Sequence, residues 1–396
     1  MRSKLLIIIG VLLALTLAAC GPARTQTWPG LATNGELAFL AEGPSVYAIN
    51  VQSGQQVWKF PPDGYAGNAG VFVSDAGVGD DIIVVGSEGP AGSYSGVLYG
   101  LDPATGADPA TGRAKWCLAF DQKGVDREGC PLAEGGAQAG FLGLSPAVDN
   151  RIVGGVTLNE GVVYVGLASG AVYAVDASTG QDLWRFDAER DVWAAPLVTD
   201  GTVFVAALDH KLYALDTENG AVRWSKDLGA ALAGTPSISS DGETIYVGTF
   251  GSQLLALSTA TGVERWKRET TNWVWSGPAL DNGVLYFADV AGTVYALEAA
   301  TGEEVWAPVK PGGQMRARPA LAGDLLYVGD RDGNFFALDR ATGAVRHTQT
   351  LKGQILAAPI VAGDLILVAP FGGDNLVVAY TPALDATVRW AFAPSR

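Results

Sequence analysis

Ala174-Val175-Asp176-Ala177-Ser178-Thr179-Gly180-Gln181-Asp182-Leu183-Trp184 is the clearest of eight copies of one pattern in this chain. Its glycine and tryptophan return around Gly220/Trp224, Gly262/Trp266, Gly302/Trp306 and Gly343/His347, at intervals of 40, 42, 40 and 41 residues. Looser copies end at Trp58, Trp116 and Trp390. A period near 40 with a constant glycine and a constant large ring predicts a repeat architecture, commonly one propeller blade per repeat. Such platforms host unrelated functions, so the period speaks to the fold and leaves the activity open.

Within a unit the pattern reads as hairpins. Pro196-Leu197-Val198 precedes the turn Asp200-Gly201, Thr202 to Ala206 precedes a turn at Asp209-His210, and Lys211 to Asp216 precedes Asn219-Gly220 and a last strand through Trp224. Short β-branched and aromatic runs between Asx-Gly turns mean antiparallel strands in series, four to a blade. A proline marks the first strand at Pro29, Pro146, Pro196, Pro236, Pro278, Pro319 and Pro359, and only the second unit, near Ala69, lacks one. Eight units fill residues 27–396, so the expected fold is all-β: a single eight-bladed β-propeller of four-stranded antiparallel blades. Seven blades is the alternative if the irregular second unit is not a full blade. Trp58, Trp116, Trp184, Trp224, Trp266, Trp306 and Trp390 occupy the closing slot of their repeats. A ring at one place per blade fills the wedge between neighbouring sheets, which makes these seven structural. Position 347 carries His and predicts a less well locked blade.

The N-terminus has a different composition. Arg2 and Lys4 precede an apolar run, Leu5 to Leu17, that is short for a bilayer span and suits a signal-peptide core. Leu17-Ala18-Ala19-Cys20-Gly21 resembles the lipobox of bacterial lipoproteins, which implies lipidation of Cys20, a signal peptide over 1–20 and a tether over 21–26. An ordinary cleaved signal is the alternative. The chain would then be exported and lipid-anchored, in the periplasm or at the outer cell surface. Loss of Arg2 and Lys4 with the leader takes the net charge from −15 to −17. That excess of acid argues against nucleic acid or an anionic lipid surface as a general partner. Cys117 and Cys130 remain, thirteen residues apart. In an oxidising compartment a loop-closing disulfide between them is expected, contributing about 3 kcal/mol at most, with a reactive thiol the weaker option.

The motif Ala-x-Asp-x-x-Thr-Gly-x-x-x-Trp, met in full at Ala174–Trp184 and in relaxed form from Ala214, Ala256, Ala296 and Ala337, resembles the tryptophan-docking repeat of quinoprotein (PQQ-like) β-propellers. Two functional groups share that fold. The quinone-dependent dehydrogenases use calcium-bound PQQ, an Asp base and, in many, adjacent cysteines; this chain has no adjacent cysteine pair. The lipid-anchored propeller of the outer-membrane β-barrel assembly machinery, the BamB type, is similar in overall plan: lipobox, eight docking repeats and no catalytic constellation. That resemblance implies a non-catalytic scaffold that binds a β-barrel assembly subunit, monomeric and without cofactor. A quinone- or small-ligand-binding periplasmic protein, enzymatic or sensory, remains open, as does a surface propeller in a cell without an outer membrane.

No catalytic or metal-binding set stands out. His210 and His347 lack a metal spacing, and neither a Gly-x-Ser-x-Gly elbow nor a phosphate-cradling loop occurs. Asp330-Arg331-Asp332-Gly333-Asn334 opens like a calcium loop but aligns with a hairpin turn in every other blade. Binding candidates come from the connectors that enter the innermost strands. Val192, Leu232, Val274, Met315 and Ile355 precede the prolines by four, and Trp193, Ala233, Trp275, Arg316 and Leu356 follow them by one. Alternation sends the first set to the core and the second toward the channel mouth. Trp193, Trp273, Trp275, Arg316 and Arg318 are therefore the candidate binding surface, being of the types enriched in hot spots. The competing structural role is a channel plug, with Arg316 or Arg318 paired to a turn Asp. The second-blade turn Ser87 to Gly96 and the Cys117–Cys130 loop should crowd the same face.

Overall fold

A computed structural model describes residues 28–394 except 65–68, 90–93, 109–110, 122–123, 127–147 and 383–386. Cys20, the leader and Cys130 therefore lie outside the described residues, as do Pro146 and most of the Cys117–Cys130 loop.

Eight antiparallel sheets follow one another along the chain, over residues 30–60, 77–126, 156–187, 197–227, 237–269, 279–309, 320–350 and 360–392. Each is a simple meander in strand order and forms one blade. The first and last sheets are each built from consecutive local strands, so the ring closes without exchange of a terminal strand. Blade 2 departs from the plan: Gly124–Asp126 adds a fifth strand to its outer edge, antiparallel to Trp116–Asp121. The third blade starts at Val156–Asn159, not at Pro146. Gly154 and Gly155 precede that strand, and a Cβ on Gly154 would lie 2.3 Å from the carbonyl oxygen of Trp193, closer than any larger residue tolerates.

The middle strands are buried on both faces because each blade is sandwiched between two others. Val163, Val165 and Val175 of blade 3 pack with Val84, Leu98 and Phe120 of blade 2. Their alternating neighbours Tyr164, Val172, Ala174 and Trp184 pack with Val203, Val205 and Leu215 of blade 4. The same arrangement continues around the ring until Leu365, Leu367 and Ala379 of blade 8 meet Leu40, Tyr47 and Ile49 of blade 1. Strand alternation of period two thus serves two cores at once.

The tryptophans fasten these interfaces. The indole N–H of Trp184 donates to the Thr217 carbonyl at 2.8 Å, and its ring lies where a Cβ on Gly220 would come within 2.7 Å. Trp116 meets Ala177 and Gly180, Trp224 meets Thr259 and Gly262, Trp266 meets Ala299 and Gly302, and Trp306 meets Arg340 and Gly343 in the same way. Trp390 of blade 8 donates to Val51 at 2.8 Å and covers Gly54, which completes the circle. Every seat glycine holds a positive φ, between 69° and 74°. In blade 2 the seat for Trp58 is Gly106, whereas Gly112, four residues before Trp116, closes a second turn after it. His347 is the exception: its buried Nε2 has no hydrogen-bond partner.

Replacing Trp266 by Ala removes both the N–H bond and a packed ring, with an expected loss of about 3–5 kcal/mol. His347→Ala, which gives up no docked ring, should cost about 1 kcal/mol or less. Equilibrium unfolding in urea measures both, and equal losses at the two positions would refute the docking account.

Candidate functional site: the channel mouth

The connectors between blades and the second hairpin turns meet on one face. Leu208 N–H donates to Asp191 O, Phe250 N–H to Ala231 O, Val290 N–H to Trp273 O and Arg331 N–H to Gln314 O, one such bond per blade. Within the connectors Val192, Leu232, Val274, Met315 and Ile355 are buried to 1% or less, so alternation leaves the other set free to reach the channel mouth.

Blades 4, 6 and 7 place Trp193, Trp275 and Arg316 in that second set. Trp193 and Trp275 have ring centroids 6.3 Å apart. Trp28, entering blade 1 from the other side of the ring, meets Trp275 edge-on at 5.3 Å. The Arg316 guanidinium lies 4.4 Å from the Trp275 centroid and 5.8 Å from that of Trp28. Cation–π contacts of this kind are each worth about 0.5–2 kcal/mol, more when desolvated. Arg316 Nε is buried with no partner, as is Trp28 Nε1. Burial, and then the positive charge of Arg331, lower the Arg316 pKa from its ordinary value. Arg316 is therefore held by aromatic faces and not by a turn Asp.

Trp273 extends this cluster outward. It stacks on Phe250 at 5.0 Å and 14°, Phe250 also touches Trp275 at 5.0 Å, and Trp273 remains 48% exposed. The structure thus brings together Trp193, Trp273, Trp275 and Arg316. Arg318 makes no ring contact and no hydrogen bond among the described residues and lies in the connector, two residues before the innermost strand of blade 7, Ala320–Ala322. Trp28 and Phe250 complete the patch and escape a reading keyed to proline. Trp28 directly precedes Pro29, whereas Trp193 comes three residues before Pro196; strand register, which pairs Ala32 with Phe39 and Leu197 with Phe204, puts both tryptophans in the same slot.

Around the patch, the turn at Asp330 is saturated. Its Oδ1 accepts the N–H groups of Asp332 and Asn334, and its Oδ2 accepts those of Gly313 and of the Asn334 amide, at 2.8–3.0 Å. Four donors aimed at one buried carboxylate leave no lone pair for a cation. Among the described residues no cluster of three or more His, Cys, Asp or Glu is spaced to hold a metal ion. The Asp330 carboxylate is thus committed to its own turn. Beside this turn an open cleft of about 390 Å3 is lined by Gly313, Gln314, Arg331, Asp332 and Gln354.

Glu42 occupies the corresponding turn of blade 1, facing Ser45 across the hairpin. Its Oε2 is buried without a partner, and burial pushes its pKa from 4.5 to about 7. A raised folded-state pKa means that folding takes up a proton, so stability falls as pH rises from about 4.5 through 7. Glu42→Gln should be neutral at pH 4 and stabilise by about 2 kcal/mol at pH 8, a value discounted for partial exposure. Urea midpoints at the two pH values test this; a gain that persists unchanged at pH 4 would rule out the titration.

The sequence profile of the outer membrane protein assembly factor BamB family matches residues 107–271, 211–319 and 291–395, together well over half of the chain. Among solved structures, BamB from Moraxella catarrhalis superposes with a TM-score of 0.65 at 21% identity, covering 88% of this chain and 92% of that one. The computationally designed Ika8 protein superposes with a TM-score of 0.68 at 15% identity, covering 90% and 97%. At these identities the two structures speak for the fold alone. No curated protein matches the chain significantly.

Proposed function

The chain belongs to the outer membrane protein assembly factor BamB family, and from that premise we propose that it is an exported, lipid-anchored, non-catalytic scaffold for outer-membrane β-barrel assembly. Its protein partner binds the loop-rich face. The observation that carries this reading is the exposed Trp273–Phe250 stack continuing into Trp275, Trp193 and the desolvated Arg316. Aromatic rings beside an arginine that lacks a carboxylate partner have the composition of a protein-binding hot spot. Arg316 has a buried, unpartnered Nε, a cost of about 1–3 kcal/mol that an apolar residue avoids.

A second contact mode lies at the rim. The outer strand of blade 2 already takes up an antiparallel fifth strand, so a blade edge of this design accepts an extended segment. The outer strands of the other seven blades end their sheets. Extended nascent chain could pair there by strand addition. In this reading the cap on blade 2 is an intramolecular version of that capture, and the loop that supplies it is closed by a Cys117–Cys130 disulfide.

A pull-down from gently solubilised membranes should recover a β-barrel assembly subunit with the parent protein. Trp193→Ala/Trp275→Ala/Arg316→Ala should lose that partner while retaining the propeller's circular dichroism. A retained quinone with no protein partner would overturn the scaffold reading. Separately, labelled palmitate should enter the parent chain and not Cys20→Ser, whose folded part should move to the soluble fraction. Unlabelled parent protein would refute the anchor.

A further inference from the structure

Two ionisable side chains with opposite charges stand in the neck of the central channel, and the scaffold role above makes no use of either. Strand register identifies the positions. The residues two places before Ala32, Gly77, Thr157, Leu197, Ser237, Ala279, Ala320 and Ile360 are equivalent, because each of those eight pairs with the same row of its second strand. The resulting ring reads Gly30, Asp75, Gly155, Ala195, Thr235, Gly277, Arg318 and Ala358. Neighbouring members touch. A Cβ on Gly30 would lie 2.5 Å from Asp75 N, one on Gly155 would lie 3.8 Å from Asp75 Cβ and 3.0 Å from Ala195 Cβ, and one on Gly277 would lie 1.9 Å from Thr235 O. Six of the eight are small and uncharged, so the collar carries charge at two places only.

Those two charges do not satisfy each other. Asp75 and Arg318 form no ion pair and no mutual hydrogen bond, and they belong to blades 2 and 7, three steps apart around the ring. Asp75 is held in place by one bond, Leu31 N–H to Oδ1 at 2.9 Å, which leaves Oδ2 free to accept. Arg318 uses none of its donors on the described residues. Water reaches both side chains, yet both are desolvated by the walls around them: the Asp75 carboxyl is raised and the Arg318 guanidinium lowered from their ordinary values. Above them Trp28, Trp275 and Arg316 contact one another at the channel mouth.

We propose that this collar binds a small zwitterion, an amino-carboxylate whose carboxylate is taken by Arg318 and whose ammonium is taken by Asp75. The chemistry of the two side chains suits that class. A guanidinium binds a carboxylate by donating two parallel N–H bonds, and a fixed carboxylate oxygen accepts from an ammonium. Partial desolvation strengthens both contacts over their value in open water. A simple anion or a simple cation would satisfy one wall and leave the other bare. The site is independent of the partner surface on the loop-rich face.

Calorimetric titration of the full-length protein with glycine, β-alanine and γ-aminobutyrate, and with acetate and methylammonium as half-ligands, tests the assignment. Saturable binding of at least one zwitterion is expected, with both half-ligands weaker by about tenfold or more, the scale of a single charge-assisted hydrogen bond. Asp75→Asn keeps the acceptor for Leu31 N–H, and Arg318→Gln removes no protein contact, so both should melt with the parent while losing the zwitterion. Arg318→Lys should recover part of the binding. Should Asp75→Asn lower the melting temperature, Arg318→Gln and Arg318→Lys decide. Absence of saturable binding by every zwitterion overturns the proposal, as does acetate binding as tightly as the zwitterions, or binding that survives Arg318→Gln.

Discussion

An indole laid on a bare glycine of the next blade is the contact on which this ring depends. The two halves of the contact arise in different ways. The Asp-x-x-Thr-Gly turn is local: Asp176 accepts the N–H groups of Ser178 and Thr179, and the turn ends at Gly180 with a φ of 71°. Only a residue without a Cβ both adopts that conformation cheaply and offers a flat seat. The tryptophan is placed by its own sheet, opposite an alanine and beside a bulge, as Trp184 lies opposite Ala174 with the register shifting at Val175. Neither half is stable alone. A blade therefore presents a turn on one side and a ring on the other, and stability is a sum over neighbouring pairs. Closure follows when Trp390 finds Gly54.

The seam between blades 7 and 8 shows what happens without that contact. His347 stands opposite Ala337, where the other regular blades carry tryptophan, and its Nε2 is buried without a partner. The hydroxyls of Tyr327 and Tyr380 are also buried there without partners, on either side of Phe335. At the corresponding blade 5 position, the Tyr246 hydroxyl shares the Ala299 carbonyl with Trp266. In sequence, the place four residues before Trp390 that holds glycine in the regular repeats holds Ala386. Three unpaired buried polar groups in one interface, each costing about 1–3 kcal/mol, mark this seam as the one where the ring opens first.

The period of the closing motif makes the all-β ring legible before any coordinate. What it does not carry is register, which is a relation between strands. Pro146 reads as the start of blade 3 because proline starts five successive blades, yet pairing of Thr157 with Tyr164, as Leu197 pairs with Phe204, puts Val156 in the proline slot. Gly112 has the right distance from Trp116, but the tandem turns Asp102–Gly106 and Asp108–Gly112 give blade 2 two candidate seats, and packing of Trp58 selects the first. Trp193, Trp275 and Arg316 are readable from alternation within each connector. Trp28, Phe250 and Asp75 are not, because their places follow from pairing with Phe39, from the blade 5 turn meeting its neighbour, and from the collar's geometry.

A ring of equivalent blades carries its own controls. Each position recurs eight times, so a costly residue in one blade can be weighed against cheap ones that serve the same structural purpose elsewhere. At the channel-mouth slot Ala233 and Leu356 suffice for blades 5 and 8, while Trp28, Trp193, Trp275 and Arg316 occupy blades 1, 4, 6 and 7. At the collar, glycine, alanine and threonine suffice for six blades, and Asp75 and Arg318 stand in the other two. Folding does not require the expensive choice at either level, since the neighbouring interfaces pack without it. Departures from equivalence that cost desolvation avoided at the same position of other blades are where a repeat protein meets something outside itself.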